Sequence, residues 1–542
     1  MSKLGRRYIA LRLVLGAAAF VYFATLISLQ ITLLGFPKEL FLFPSNLIVF
    51  TGLCFTLWSA TRQPQELGRK SLVGWILGTA LLLNAPFYLS GELFGTTDFG
   101  SILISVEEIE IAELFRIGAS DFGGKASQIA IGLSFFFFCG RLLGQRVQFG
   151  REVVLITSVG LILFGPITMA IANYALPNKD HDLISAELDI VGPQILSGPL
   201  NPPNLVMIYL ESLERTYRDT KIGTTSFAQL SEIEDAALSF RNISQFPGME
   251  FTIGGIVASQ CGVPLYPRGM FAVGVVDLDI GAGAQKVYAS KFLGSVDCLG
   301  DVLSRRGYTA SYMNGSSLAT QSKGQFFSTH GFERLFGLEN AVDFPPSQLT
   351  SWGLPDQFLF EKAQLELSYL VAEGSPFFLS MLSNQTHGPN GFPDPHCDYG
   401  LPHTNNLALA IHCTGSYVAE LLAYIDSLGI SDHTVVVVLS DHLAMRNSLY
   451  DLLQAQEPNR RNFAAILAPG RKGIVWREGS PMDLYPTILE VMGYEIYGGR
   501  ANLGRSLIGP EPTLSESVGP LRLANALYQN NRLQRFLWKV LE

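Results

Sequence analysis

The hydrophobic pattern divides the chain into two regimes. Five long apolar stretches, approximately Ile9–Leu34, Leu40–Ala60, Leu72–Ser90, Ala126–Leu143 and Val153–Leu176, fill the first third. Each is close to the roughly 20 residues that a helix needs to cross a bilayer. Pro44, Pro86 and Pro166 within them are tolerated in membrane helices. The first stretch is too long for a secretion signal, and no small-residue cleavage site follows it. Beyond Leu176 the apolar runs shorten to strand length: Asn204–Leu210, Pro376–Leu382 and Thr434–Leu439. Such runs suit parallel strands buried on both faces. Helical spacings lie between them, as with Val418, Leu421, Leu422 and Ile425 in Tyr417–Leu428.

The pattern therefore predicts a multi-span α-helical membrane domain at 1–176, with five transmembrane helices. A linker at 177–203 follows. An α/β domain with a largely parallel central sheet is predicted over 204–507. The tail at 508–542 is expected to hold one amphipathic helix, Leu521–Leu541.

Charge orients this arrangement. Lys3, Arg6 and Arg7, then Arg62, Arg69 and Lys70, then Arg141, Arg146 and Arg151 mark three cytoplasmic segments. The acidic connection Gly91–Lys125 falls outside. Five spans that start inside finish outside, so the α/β domain is expected in the periplasm of a bacterial inner-membrane protein. Only 16% of the residues are charged and 48% are hydrophobic, against about 25% charged in ordinary soluble domains. This excludes a disordered chain or a coiled coil. A net charge of −9 leaves no footprint for nucleic acid.

Candidate chemistry sits where the strands end, because ligands of open α/β sheets bind outside the carboxyl ends of the strands. The first strand runs into Glu211 and the Val-rich strand into Asp441 and His442. Two carboxylates and an imidazole at two strand ends can share one metal ion. Thr252 follows a turn and opens a helical run. A hydroxyl there meets the helix dipole and free N–H groups, which suits a phosphoryl group; the same position also suits a purely structural cap.

Asn204–Tyr217 (NLVMIYLESLERTY), Phe251–Leu265 (FTIGGIVASQCGVPL), Cys298–Tyr308 (CLGDVLSRRGY) and Ser440–Met445 (SDHLAM) resemble, in order, the phosphoglycerol transferase I family. These bacterial inner-membrane enzymes decorate osmoregulated periplasmic glucans. They belong with the lipoteichoic acid synthases in the alkaline phosphatase/sulfatase superfamily. The resemblance covers most of Asn204 to about Gly504 and implies an alkaline phosphatase/sulfatase-like fold. It implies metal ligation by Glu211, Asp441 and His442, and a double role for Thr252 as ligand and nucleophile. An oxygen-rich site with one His suits one Mn²⁺ or Mg²⁺ ion. His387 matches the family's substrate-side histidine, while Asn314 and Lys323 lie in the segment that resembles its head-group contact. Trp352-Gly353 with Asp356 forms a further family-like motif, catalytic or structural.

The implied reaction moves phosphoglycerol from phosphatidylglycerol, a membrane lipid, to a glucan, through a phosphothreonine-type intermediate and with release of diacylglycerol. A phosphoethanolamine transferase, a lipoteichoic acid synthase-like enzyme with another envelope acceptor, and a periplasmic phosphatase or sulfatase are the alternatives. The C/S-x-P-x-R motif usual in sulfatases is absent around Thr252. Four of the six cysteines, Cys261, Cys298, Cys397 and Cys413, lie in the outside domain. They allow three connectivities. Cys261–Cys298 and Cys397–Cys413 close the shorter loops and are expected in an oxidising compartment. The other histidines, His181, His330, His396, His403, His412 and His433, match no motif and are expected to pack or face solvent. Glu214 and Arg215 are expected to be ion-paired beside Glu211.

Overall fold

The computed structural model describes residues 190–266, 291–395, 397, 405–528 and 530–538. The five apolar stretches and the linker up to residue 189 lie outside the described residues. The described strands are β1 (Ile195–Ser197), β2 (Asn204–Leu210), β3 (Leu238–Phe240), β4 (Thr309–Asn314), β5 (Arg334–Phe336), β6 (Phe377–Leu382), β7 (Thr434–Ser440), β8 (Ala464–Leu467), β9 (Gly473–Val475), β10 (Glu495–Ile496), β11 (Arg500–Ala501) and β12 (Gly504–Arg505). The helices that matter below are α1 (Ala228–Ala236), α2 (Thr252–Cys261), α3 (Leu299–Ser304), α4 (Lys323–Thr329), α5 (Asp356–Glu373), α6 (Asn406–Ser427) and α7 (Pro481–Val491).

The two most apolar runs make the middle of an eight-stranded sheet. β2 and β7 pair in parallel, Leu205 opposite Val435 and Leu210 opposite Ser440. The order is β5-β4-β6-β2-β7-β8-β3-β9. β8 alone in this sheet runs against its neighbours β7 and β3. Both faces of the centre are covered. Leu205, Met207 and Tyr209 enter one core; Val206, Ile208 and Leu210 enter the other. This is why the run is continuously apolar rather than alternating. Each fully buried Val, Leu or Ile contributes about 1.5–3 kcal/mol.

The first face carries α2 and α7, through Ile253, Ile256, Val257, Leu484 and Ile488. The second carries α1, α5 and α6, through Leu230, Leu359, Leu367, Ile411 and Leu421. α6 begins eleven residues before the predicted Tyr417–Leu428, where the Asn405 side chain caps it by accepting the Ala408 N–H. It is long and apolar enough to cross a membrane by length and composition, but its apolar side packs on the sheet.

The tail departs from expectation. Instead of one helix over Leu521–Leu541, it holds Leu514–Val518, Pro520–Leu527 and Asn531–Leu537. Asn530 stops the run: its side chain accepts the Leu533 N–H at 2.9 Å and restarts the helix. Leu523, Leu527, Leu533, Leu537 and Trp538 are buried in the first core. The packed unit therefore extends well past residue 507.

Four adjacent parallel strands, β4-β6-β2-β7, deliver their carboxyl ends to one place. Asn314 ends β4, the loop to His387 follows β6, Glu211 follows β2, and Asp441 and His442 follow β7.

Candidate active site

Glu211, Asp441 and His442 are buried, and one ligand atom from each lies within 4.8 Å of the others. His442 Nε2 is 3.4 Å from Glu211 Oε1 and 3.4 Å from Asp441 Oδ2. The His442 Nδ1–H donates to the Leu443 carbonyl at 2.8 Å, which turns Nε2 toward the two carboxylates. Asp441 Oδ1 is fixed by the Ser212 N–H at 2.9 Å and the His442 N–H at 2.7 Å. Its Oδ2 is buried and has no hydrogen-bond partner among the described residues. A buried carboxylate oxygen facing the Nε2 edge of an imidazole fits a divalent cation, and the bond from His442 Nδ1 to the Leu443 carbonyl is the kind that orients metal-bound histidines.

The electrostatics agree. Burial pushes the Asp441 carboxyl up, and the Glu211 charge pushes it further, to about 8. Burial opposes ionisation of Glu211 as well, but the hydrogen bond from His442 and the charge of His387 hold its carboxyl well below the usual range. Burial disfavours a charged His442, yet the Asp441 charge and the Glu211 hydrogen bond raise it to about 10. The cluster thus demands positive charge, from a proton or from a metal ion.

Thr252 is the first residue of α2. Phe251 stands at the cap position and has no capping side chain. The Thr252 hydroxyl donates to Glu211 Oε2 at 3.3 Å. It points into the carboxylate cluster, so the reading of Thr252 as a mere cap does not hold. The Ile253 N–H is taken by Gln321 Oε1 at 2.7 Å. Ser212, beside Glu211, adopts a left-handed φ of 49°. Backbone strain of this kind collects at functional sites. Here it lets Ser212 give its N–H to Asp441 and its hydroxyl to Glu211 at 2.9 Å.

His387 joins from the side. Its Nδ1–H donates to the Gly388 carbonyl at 2.9 Å, and its Nε2 is 3.9 Å from Glu211 Oε1. Burial lowers its pKa, against the Glu211 charge and with the help of His442 and Lys323. The Trp352 ring stacks on it with centroids 3.7 Å apart. Asp356 grips the same loop by accepting the Asn384 N–H at 2.6 Å and the Gln385 N–H at 3.3 Å. Burial pushes the Asp356 carboxyl up to about 7 in spite of these bonds. Trp352 and Asp356 are thus the walls and anchor of the His387 loop.

Asn314 is buried and accepts from the Ser316 N–H and hydroxyl at 2.7 and 2.8 Å. Its Nδ2 is buried without a partner among the described residues. Lys323 is buried at the start of α4 and acts electrostatically on His387. The structure therefore brings Glu211, Thr252, His387, Lys323, Asp441 and His442 into one neighbourhood, with Asn314 at the adjoining strand end.

Glu214 pairs with Arg460, and Arg215 with Glu234 and Asp219. Arg460, Gln321, Ser212 and Ser383, whose hydroxyl accepts the Glu211 N–H at 3.1 Å, escape sequence reasoning. Arg460 stands in the polar run Glu457-Pro458-Asn459-Arg460-Arg461, which reads as solvated loop. The φ of Ser212 leaves no compositional mark at all. Cys261 is bonded to Cys298, and Cys397 to Cys413. A second cluster, Cys298, Asp301 and His330, is not a metal site. The Cys298 sulfur is bonded to Cys261, and His330 spends Nδ1 on Asp301 and Nε2 on the Phe292 carbonyl, both at 2.6 Å. His330 has a packing role. His181, His396 and His403 lie outside the described residues.

The sulfatase family model matches residues 203–494, more than half of the chain, from just before β2 to just past α7. The chain belongs to the sulfatase family. The sulfatase-family region is the α/β unit whose mostly parallel sheet carries the cluster. Phosphoglycerol transferase I of Xanthomonas euvesicatoria pv. vesicatoria (strain 85-10) is 29% identical over 502 residues, 88% of this chain and 66% of the relative. Phosphoglycerol transferase I of Citrobacter koseri is 33% identical over 319 residues, 58% of this chain and 40% of the relative. The chain thus spans less than two thirds of the length of these relatives. Among solved structures, the lipoteichoic acid synthase LtaP from Listeria monocytogenes aligns at 15% identity with a TM-score of 0.47, over 66% of this chain and 98% of that one.

Proposed function

We propose that this chain is a phosphoglycerol transferase that moves phosphoglycerol from phosphatidylglycerol to a hydroxyl of a periplasmic glucan. Glu211, Thr252, Asp441 and His442 would hold one Mn²⁺ or Mg²⁺ ion. The observation that carries this reading is the Thr252 hydroxyl at a helix start, 3.3 Å from Glu211 of a buried carboxylate–imidazole cluster. The names of the relatives support the phosphoglycerol donor. Membership in the sulfatase family does not imply sulfate chemistry, because function follows the site and not the fold.

When bound, the ion lowers the hydroxyl pKa and neutralises charge on the phosphoryl oxygens. The chain's own residues do the rest. Thr252 Oγ1 forms the new bond to phosphorus while the bond from phosphorus to the diacylglycerol oxygen breaks. The Thr252 proton passes by way of Glu211 to His387 Nε2, which faces the site, and from there to the departing oxygen. An acceptor hydroxyl then attacks the same phosphorus and gives its proton to His387, and the same route in reverse returns a proton to Thr252 as its bond to phosphorus breaks. Asn314 and Lys323 bind the donor's head group.

The five apolar stretches tether this chemistry to the outer leaflet of the bacterial inner membrane, where the lipid donor lies. Initial rates measured at varied phosphatidylglycerol and glucan test the reading. Ping-pong behaviour, with diacylglycerol released before acceptor is added, supports it. Release that requires acceptor, or equal use of phosphatidylethanolamine, contradicts the mechanism or the donor respectively.

A further inference from the structure

We propose that the buried Glu214–Arg460 pair is a positioning device that sets the affinity of the Glu211–Asp441–His442 cluster for its divalent ion; this rests on the metal reading above. Glu214 stands three residues after Glu211, on the loop that leaves β2. Arg460 comes from a distant segment, yet it is only 9% exposed and its partner is fully buried. Arg460 Nε is 3.0 Å from Glu214 Oε1.

What the pair touches gives it a role. The Ala444 N–H donates to Glu214 Oε2 at 3.0 Å, and Arg460 Nη2 donates to the Ala444 carbonyl at 2.6 Å. Both polar backbone groups of one residue are thus held by the two halves of one ion pair. Ala444 is two residues beyond His442. The same two loops are joined again on the near side, where the Ser212 N–H meets Asp441 Oδ1. The arcs Ser212–Glu214 and Asp441–Ala444 are therefore stitched together at both ends, with His442 between the stitches and Glu211 and Asp441 at the near one.

A buried ion pair is weak support for stability by itself, since the desolvation cost can exceed the Coulombic gain. Holding a ligand loop in register is a better reason for this one. Metal sites hold their ligands within about 0.2 Å of the preferred distances, and changes in the groups that orient the ligands commonly weaken binding by about 10- to 100-fold. Arg460 engages Glu214 through Nε and reaches Ala444 through Nη2, a fork that the single ammonium of lysine does not reproduce.

The test is calorimetric titration of the metal-stripped, full-length protein in detergent with Mn²⁺. Asp441→Ala identifies the site, and the melting temperature of each metal-free variant is recorded in parallel. Arg460→Gln is expected to weaken Mn²⁺ binding by about 10- to 100-fold. Arg460→Lys keeps the charge opposite Glu214, melts with the wild type and still loses about tenfold. A merely structural pair would lower the melting temperature and leave Mn²⁺ affinity alone. If Arg460→Gln does not fold, Arg460→Lys decides: wild-type affinity in that variant overturns the proposal. No Asp441-dependent Mn²⁺ binding in the wild type overturns the metal reading itself, and the pair's role with it.

Discussion

Gly255 of α2 lies against the carbonyl of Asp441 so closely that a Cβ on it would stand 1.7 Å from that oxygen. The helix that opens with Thr252 is seated directly on the residue whose carboxylate we propose as a metal ligand. Glycine is the residue that permits this approach.

Gly255→Ala therefore tests whether that seating matters. In an ordinary helix the change would stabilise by about 1 kcal/mol. Here α2 or the Asp441 loop must shift, and overpacking costs about 1–3 kcal/mol. A displacement near 1 Å at a reacting group can lower the rate about 100-fold. Thermal melting and transfer assays on the variant are expected to show both losses. A stabilised and fully active Gly255→Ala protein would show that the contact is incidental.

Asp301 gives a pH dependence outside the active site. Burial raises its carboxyl, but the hydrogen bond and charge of His330 and the bond from Lys291 outweigh burial and hold it at about 2, below the ordinary 3.8. A carboxyl depressed in the folded state stabilises above its unfolded pKa and loses that contribution as pH falls through its folded pKa. The contribution is about 2 kcal/mol at neutral pH. Denaturation of the wild type and Asp301→Asn at pH 7 and pH 3 should show the stability gap shrinking by about 1 kcal/mol at the lower pH. A gap that stays constant or widens would mean that Asp301 does not titrate as described.

The stacking of Trp352 on His387 predicts a catalytic effect without a folding effect. Trp352 is half-buried and His387 carries its Nε2 toward Glu211. Trp352→Ala frees the imidazole to rotate. It is expected to lower kcat by up to about 100-fold, the low end of general acid–base contributions, with Trp352→Phe retaining most of the activity. Equal losses in both variants would point to a direct substrate contact by the indole instead of a stack.

The disulfide from Cys261 ties the end of α2 to the residue before α3. Replacing both cysteines by Ala is expected to cost about 2–4 kcal/mol. Denaturant titration under non-reducing conditions measures it, and an unchanged midpoint would show that the surrounding core already fixes α2.

Much of this arrangement is legible in the sequence because it is local. The continuous apolar runs of β2 and β7 announce buried strands, and Glu211, Asp441 and His442 follow them immediately. Thr252 is visible because a turn precedes it and a helical run follows. The stitching of the site is not local. Glu214 and Arg460 are 246 residues apart, and Ser212 and Asp441 are 229 apart. No periodicity connects such pairs. The tail is illegible for another reason: the apolar spacing of Leu521–Leu541 continues across Asn530, and only the side-chain cap on Leu533 shows that the helix stops and restarts.

The central claim is that Thr252 carries phosphoglycerol between donor and acceptor. Mass spectrometry of the full-length protein, after exposure to labelled phosphatidylglycerol without acceptor and acid quenching, tests it most directly. The peptide that contains Thr252 should gain the mass and the label of one phosphoglycerol unit, and Thr252→Ala should gain neither while remaining folded. An adduct on another residue, or labelled product from Thr252→Ala at the wild-type rate, would contradict the account.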